Sequence, residues 1–355
     1  MHRLWILTLI VLSIALSIAP RTLACTTFCM ARNGEALFGR NYDFEIGQGY
    51  VMTNRRGLVK TSMAGSLGWT SRYASVTFNQ WGREFPMDGM NEAGLVVALM
   101  WLEGSVYPRD ERPPLRVLEW IQYHLDNYAT VSELLAHAGE TRIAGSTPLH
   151  YLVADAGGDA ATIEFLQGEL VVHRGASLPS AVLTNDTYAS SLSHLHQFSG
   201  FGGTRPAPLS AGSLDRFARA SMMIRAGGPS VDRAFEILSS VAQRGSTRWS
   251  VVYDAARKEI SWTSDRNPRR RSLRMAALEL DCASEAKMLD VHADVEGDVT
   301  SRLDPYSPQR NRDLVVTSYT STSFTRNTPL HYAEAEAAHA EGFGCPGPRR
   351  RATRK

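Results

Sequence analysis

Cysteine is scarce, with four in a 355-residue chain, too few for a disulfide-built scaffold. Charge of one sign is also missing. The net value of +2 argues against nucleic acid as the main partner, and much of the positive charge sits in two short runs. Those runs, Arg269-Arg270-Arg271 and Arg349-Arg350-Arg351, read as a solvated turn and a solvated tail. Beyond residue 24 no apolar stretch is long enough to span a bilayer. The ten histidines include no HExxH helix, and His194 and His196 alternate on an expected loop with no carboxylate or cysteine at ligand spacing. No metal is therefore expected. There is no phosphate-cradling glycine loop and no internal repeat, so no cofactor is expected either. Ser284-Glu285-Ala286-Lys287 fits S-x-x-K, but its S-D-N and K-T-G partners are missing, which argues against a serine penicillin-binding enzyme.

What is present begins at the N-terminus. Met1-His2-Arg3 is basic, Leu4 to Ala19 is almost wholly apolar, and Pro20-Arg21 breaks the run. Thr22-Leu23-Ala24 then places small residues where a leader peptidase requires them, so residues 1–24 read as a removable secretory signal. The expected location is periplasmic or secreted. Residues 25–345 read as a single domain and 346–355 as a basic, disordered tail. The composition, 43% hydrophobic and 21% charged, is that of a globular chain. Cys282 and Cys345 are candidates for one disulfide. Cys25 and Cys29, four apart on one strand, would have Cα atoms roughly 13 Å apart, too far to bond. Cys25 is left free in an oxidising compartment, which asks for a function.

Asn33-Gly34 joins two strand-like runs, Thr26–Arg32 and 35–41, and is a strong hairpin dipeptide because both positions need positive φ. A two-residue turn sets Arg32 against Glu35 and Cys25 against Tyr42. Arg40 and Tyr42 then share the cysteine's face, whereas Asp43 needs a bulge or the strand's end to turn inward. Further strands are expected at 73–78, 94–101, 149–154, 161–166, 181–184, 248–253 and 259–263. Helices are expected from Pro113-Pro114 to about Tyr128, after a Thr130/Glu133 capping box, from a Ser213 cap to Gly227-Gly228, and from Val231 to Val241. Beyond Asn311 the pattern weakens. This order implies an α+β fold of two stacked sheets between helical layers.

Cleavage after Ala24 would give Cys25 a free α-amine with an ordinary pKa of about 7.7–8.0, beside a thiol near 8.5. The amine can take the thiol proton without a separate histidine. Arg40 would favour the thiolate, and Asp43 would accept hydrogen bonds from the amine.

Cys25-Thr26-Thr27-Phe28 and Gly39-Arg40-Asn41-Tyr42-Asp43 resemble the start of the choloylglycine hydrolase and penicillin V acylase family. Matches continue in the family's order. They are Trp69 to Tyr73, Asp88-Gly89-Met90-Asn91 to Leu95, Leu183-Thr184-Asn185-Asp186, Asp215-Arg216-Phe217 and Thr247 to Asp254. The resemblance implies the four-layer αββα fold of N-terminal nucleophile hydrolases, often assembled as homotetramers. It implies Cys25 as nucleophile, flanked by Arg40 and Asp43, with Asn185 and the backbone N–H at Trp101 as oxyanion donors. A Trp at this place is similar to the Gram-negative acylases. The family's late arginine falls at Ser246, and Arg248, two residues on, is the stand-in. Trp101 and Phe44 would wall an acyl pocket, and Asn91 would either help bind substrate or only shape a turn.

The implied substrate is a small-molecule amide joining an apolar acyl group to a polar amine, such as penicillin V or an N-acyl homoserine lactone. Conjugated bile salts are the alternative within the class, and loops 47–68 and 200–208 are expected to shape the pocket. From another class comes a lipid-anchored binding protein with Cys25 as lipidation site. That signal wants Leu where Thr22 stands. Asn185-Asp186-Thr187 is also a glycosylation sequon.

Overall fold

The computed structural model describes residues 25–346, so the leader and nearly all of the basic tail lie outside the described residues. The hairpin forms as the turn chemistry demands. Asn33 and Gly34 take φ values of 53° and 83°, and Thr26–Arg32 pairs with Glu35–Asp43 from Arg32↔Glu35 through Thr26↔Asn41. Gly39 is needed within it, because a Cβ there would meet the Phe28 ring at 2.3 Å.

This hairpin lies inside a seven-stranded sheet. Val182–Leu183 flanks the first strand, and Thr247–Asp254 flanks the second. Glu259–Ser264, Arg271–Arg274 and Gly297–Asp298 follow outward. A nine-stranded sheet packs against it, centred on Leu149–Ala154, Val96–Trp101, Pro86–Asn91 and Ser75–Asn79. The inner faces meet through aromatic rings: Phe78 of the larger sheet stands edge-on to Tyr253 and Trp262 of the smaller, at 6.2 and 5.8 Å. One cluster of buried apolar side chains runs through both sheets, which fixes their stacking by burial.

Helices cover the outer faces. Helix α1 (Glu119–Asn127) packs on the larger sheet; α2 (Val131–His137) follows it. Helix α3 (Tyr188–Leu195) lies against α4 (Ser213–Ala226), and α4 and α5 (Val231–Val241) lie on the smaller sheet. The chain therefore has the four-layer αββα arrangement of N-terminal nucleophile hydrolases.

Several expectations need correction. Pro114–Leu115 is a short parallel bridge to Arg142–Ile143, and α1 begins only at Glu119. Ser213 is the first residue of α4 rather than its cap, and its hydroxyl accepts the Asn185 N–H at 2.9 Å. Arg271 is no solvated turn residue; it is fully buried, with its guanidinium over the Trp262 ring. His194 lies in α3 and faces Asp215 at 2.7 Å. Where the pattern weakens past Asn311, two helices form, α6 (Pro308–Ser321) and α7 (Leu330–His339). Cys282, before these helices, is joined to Cys345, after them, while Cys25 and Cys29 are free.

Candidate active site

Cys25 immediately precedes the first strand and is buried. Its thiol lies 3.9 Å from Arg40 Nη2 and donates to the main-chain oxygen of Asp43 at 3.9 Å. Parity on the hairpin puts Arg40 on this face, and the facing sheet holds it there. Arg40 Nη1 donates to the carbonyls of Leu99 (2.7 Å) and Met87 (3.2 Å), and its Nε lies 2.7 Å from the Asp88 carboxylate. Both members of that ion pair are fully buried. Asp88 also accepts from the Tyr253 hydroxyl, so the buried charge is well partnered.

Asp43 ends the second strand, and the expected irregularity is found on the neighbouring strand instead. The register shifts between Thr247 and Trp249, setting Thr247 against Asp43 and Trp249 against Tyr42. Arg248 is the extra residue of this bulge. Thr247 then donates its hydroxyl to Asp43 Oδ1, and Gln243 Nε2 donates to Oδ2 at 3.1 Å. Burial is the largest influence on Asp43 and raises its pKa to about 6, against the pull of Thr247, Arg216, Gln243 and Arg40. Burial likewise pushes the Cys25 thiol up, while Arg40 and Arg216 draw it down.

The bulge also decides Arg248. Its guanidinium turns to the carbonyls of Phe44 (2.8 Å) and Glu45 (2.5 Å) and to Asp265 (3.2 Å). It braces the chain after Asp43 and is not among the cavity-lining residues. A second arginine does reach Cys25: Arg216, to which the sequence motifs assign no role. Fully buried on α4, it donates through Nη1 to the Cys25 carbonyl (2.7 Å) and to the Thr26 hydroxyl, and through Nη2 to Asn185 Oδ1 (2.7 Å). Asn185 Nδ2 in turn donates to the Trp101 carbonyl at 2.9 Å. One guanidinium thus ties Cys25 to Asn185, and Asn185 to Trp101. The Asp215-Arg216-Phe217 match was the only sign of it in the sequence.

A cavity of about 430 Å³ opens onto Cys25. Phe44, Trp81, Phe85 and Trp101 give it an aromatic wall; the 144–147 loop and residues from α6, α7 and the turn between them complete it. Loops 47–68 and 200–208 do not line it. The Tyr42 ring backs this wall, stacked between Phe44 at 5.5 Å and Trp249 at 4.2 Å.

Asn91 does not line the cavity. It is fully buried, its Nδ2 donates to the carbonyls of Leu125 in the last turn of α1 and of Tyr128 just after it, and its Oδ1 accepts from the N–H groups of Ala93 and Leu95. It shapes the turn and caps the helix, so the substrate-contact alternative is corrected. Among the described residues, no group of three His, Cys, Asp or Glu could hold a metal, and no helix is long and apolar enough to cross a membrane.

Residues 25–228 match the model of the linear amide C–N hydrolases, choloylglycine hydrolase family. The chain belongs to this family. It is 32% identical over 222 residues to a penicillin V acylase of Pectobacterium atrosepticum, a match spanning 54% of this chain and 56% of that protein. The solved penicillin V acylase of Agrobacterium tumefaciens superposes with a TM-score of 0.72 at 30% identity, over 80% of this chain and 98% of that one. A conjugated bile acid hydrolase from Clostridium perfringens shares the fold at 19% identity and a TM-score of 0.66, over 77% of this chain and 98% of that one.

Proposed function

We propose that this member of the choloylglycine hydrolase family is an exported amidase that hydrolyses amides of an apolar acyl group and a polar amine through a Cys25 thioester. The observation that carries the reading is the Cys25 thiol at a cavity with an aromatic wall, 3.9 Å from a buried arginine. In the full chain the nitrogen of Cys25 is a peptide nitrogen to Ala24 and cannot accept a proton. Removal of residues 1–24 turns it into an amine on the nucleophile's own residue.

The thiol proton then passes to that amine, and the thiolate attacks the amide carbonyl. Asn185, oriented by Arg216, and the backbone at Trp101 stabilise the oxyanion. The ammonium gives its proton to the departing amine nitrogen as the C–N bond breaks. Water then adds to the thioester carbonyl as the α-amine takes its proton, the C–S bond breaks, and the ammonium returns that proton to the Cys25 sulfur; the carboxylic acid departs and the free thiol and amine are restored. Asp43, ionised and held by Thr247 and Gln243, steadies the ammonium. The aromatic wall suits phenoxyacetyl or medium aliphatic acyl groups, as in penicillin V or N-acyl homoserine lactones.

The test combines the mass of the secreted protein with acyl release from a panel of such amides. An N-terminus at an unmodified Cys25, with turnover abolished by Cys25→Ser, supports the reading. A chain starting elsewhere, or a diacylglyceryl-modified Cys25, sinks it.

A further inference from the structure

The C-terminal helices raise a question that the hydrolytic machinery leaves open. Helices α6 and α7 form a hairpin whose base is firmly built into the molecule. Leu314 and Val315 of α6 are buried, and Asn311 accepts the Arg83 N–H at 2.9 Å and donates to the Ala337 carbonyl at 3.0 Å. On α7, Glu336 accepts from Arg116 and, across the hairpin, from the Tyr319 hydroxyl, both at 2.7 Å. The Cys282–Cys345 disulfide ties down the segment beyond α7.

The tip is held differently. Between the helices, the exposed Ser323 donates its N–H (2.9 Å) and its hydroxyl (2.5 Å) to the half-buried Glu45 carboxylate. The next residue, Phe324, points at the cavity. Its ring centroid lies 5.8 Å from Trp101, 6.1 Å from Trp81 and 6.3 Å from Phe44. Yet Phe324 remains 48% exposed. A large apolar ring left half in water gains little for folding, since roughly half of its apolar area is never removed from solvent. Its place in the cavity wall means that an apolar guest would bury the rest.

We infer that the tip of this hairpin is the acyl-selecting element of the site, with Phe324 extending the aromatic wall of Trp101, Trp81 and Phe44 outward, so that the acyl group lies along one continuous face. The inference rests on the amidase reading for its catalytic consequence, but the binding site it describes is defined independently of turnover. With the ring present, the cavity accepts compact aromatic or medium aliphatic acyl groups. Without it, the cavity opens outward, compact groups lose a contact face, and longer chains gain room.

The experiment uses the processed protein and amides of one polar amine, acylated in steps from butyryl to dodecanoyl and with phenoxyacetyl. Phe324→Ala, at an exposed turn, keeps the parent's melting temperature. It lowers kcat/KM for hexanoyl and phenoxyacetyl amides and shifts the dodecanoyl-to-hexanoyl ratio by about tenfold, the size of discrimination that modest changes in an apolar pocket produce. Ser323→Ala, which removes one bond of the latch, shifts the ratio the same way by a smaller factor. In a Cys25→Ser background, titration followed by the fluorescence of Trp81 and Trp101 shows the same reordering of affinities. If Phe324→Ala leaves both orders unchanged, the inference is overturned. If the parent hydrolyses none of the amides yet Phe324→Ala reorders their binding, the amidase reading fails and the acyl-selecting wall stands.

Discussion

Replacing Arg216 with lysine separates an arginine that positions the oxyanion donor from one that only fills space. Arg216 makes three bonds to site groups, to the Cys25 carbonyl, the Thr26 hydroxyl and Asn185 Oδ1, plus an Nε bond to the Ala211 carbonyl at 3.1 Å. A lysine keeps the charge but, lacking the planar fork, satisfies only one or two of these acceptors. An oxyanion donor, the role proposed for Asn185, is worth about 3–4 kcal/mol in the transition state. If misorientation forfeits half of that, about 2 kcal/mol is lost, or roughly a 30-fold fall in kcat at 1.36 kcal/mol per decade. Loss of charge-assisted bonds also lowers folding stability by about 1.5–3 kcal/mol each. Kinetics over a full substrate range, read with a thermal melt, tell the two effects apart. Arg216→Lys should show reduced kcat, a KM changed by less than about threefold, and a lower melting temperature. A destabilised Arg216→Lys whose kcat stays within about twofold of the parent would refute the positioning role.

Asn185→Ala should slow turnover by about two to three orders of magnitude with little change in melting temperature; near-parental kcat would remove Asn185 from the mechanism. Asp43 titrates at about 6 in the full chain and is charged only above its pKa, so kcat/KM should fall as pH drops through that region. The new N-terminal ammonium favours the carboxylate and moves this limb lower, never higher; Asp43→Asn should flatten it, and an unchanged acid limb in that variant assigns it to another group. Asn91→Ala, which deletes four hydrogen bonds, three of them buried, should lower stability by about 3 kcal/mol or more while kcat stays within about twofold, checked by denaturant unfolding beside a turnover assay.

Much of the site was legible because it rests on local rules. A two-residue Asn-Gly turn permits one register, that register pairs Arg40 with Thr27, and the strand's period of two then fixes which side chains share the face of Cys25. The helix from Val231 to Val241 was legible as well, and the structure starts it behind a Ser230 cap whose hydroxyl accepts the Arg233 N–H. Arg248 was misplaced because a bulge breaks the parity on which its assignment rested, and nothing within a few residues announces a bulge.

What the sequence by itself determined, then, is the free state of Cys25 and the arginine that flanks it, set by turn chemistry and by spacing along one strand, and the layered α+β fold, set by the order of strands and helices. Tertiary structure alone decided that Arg216, 191 residues from Cys25, grips its carbonyl, that Asn91 serves a helix end, and that a hairpin from the C-terminal region walls the cavity. Those outcomes depend on which buried acceptor a guanidinium or amide meets once distant layers close, and that is settled by packing over the whole molecule rather than by any neighbourhood of the chain.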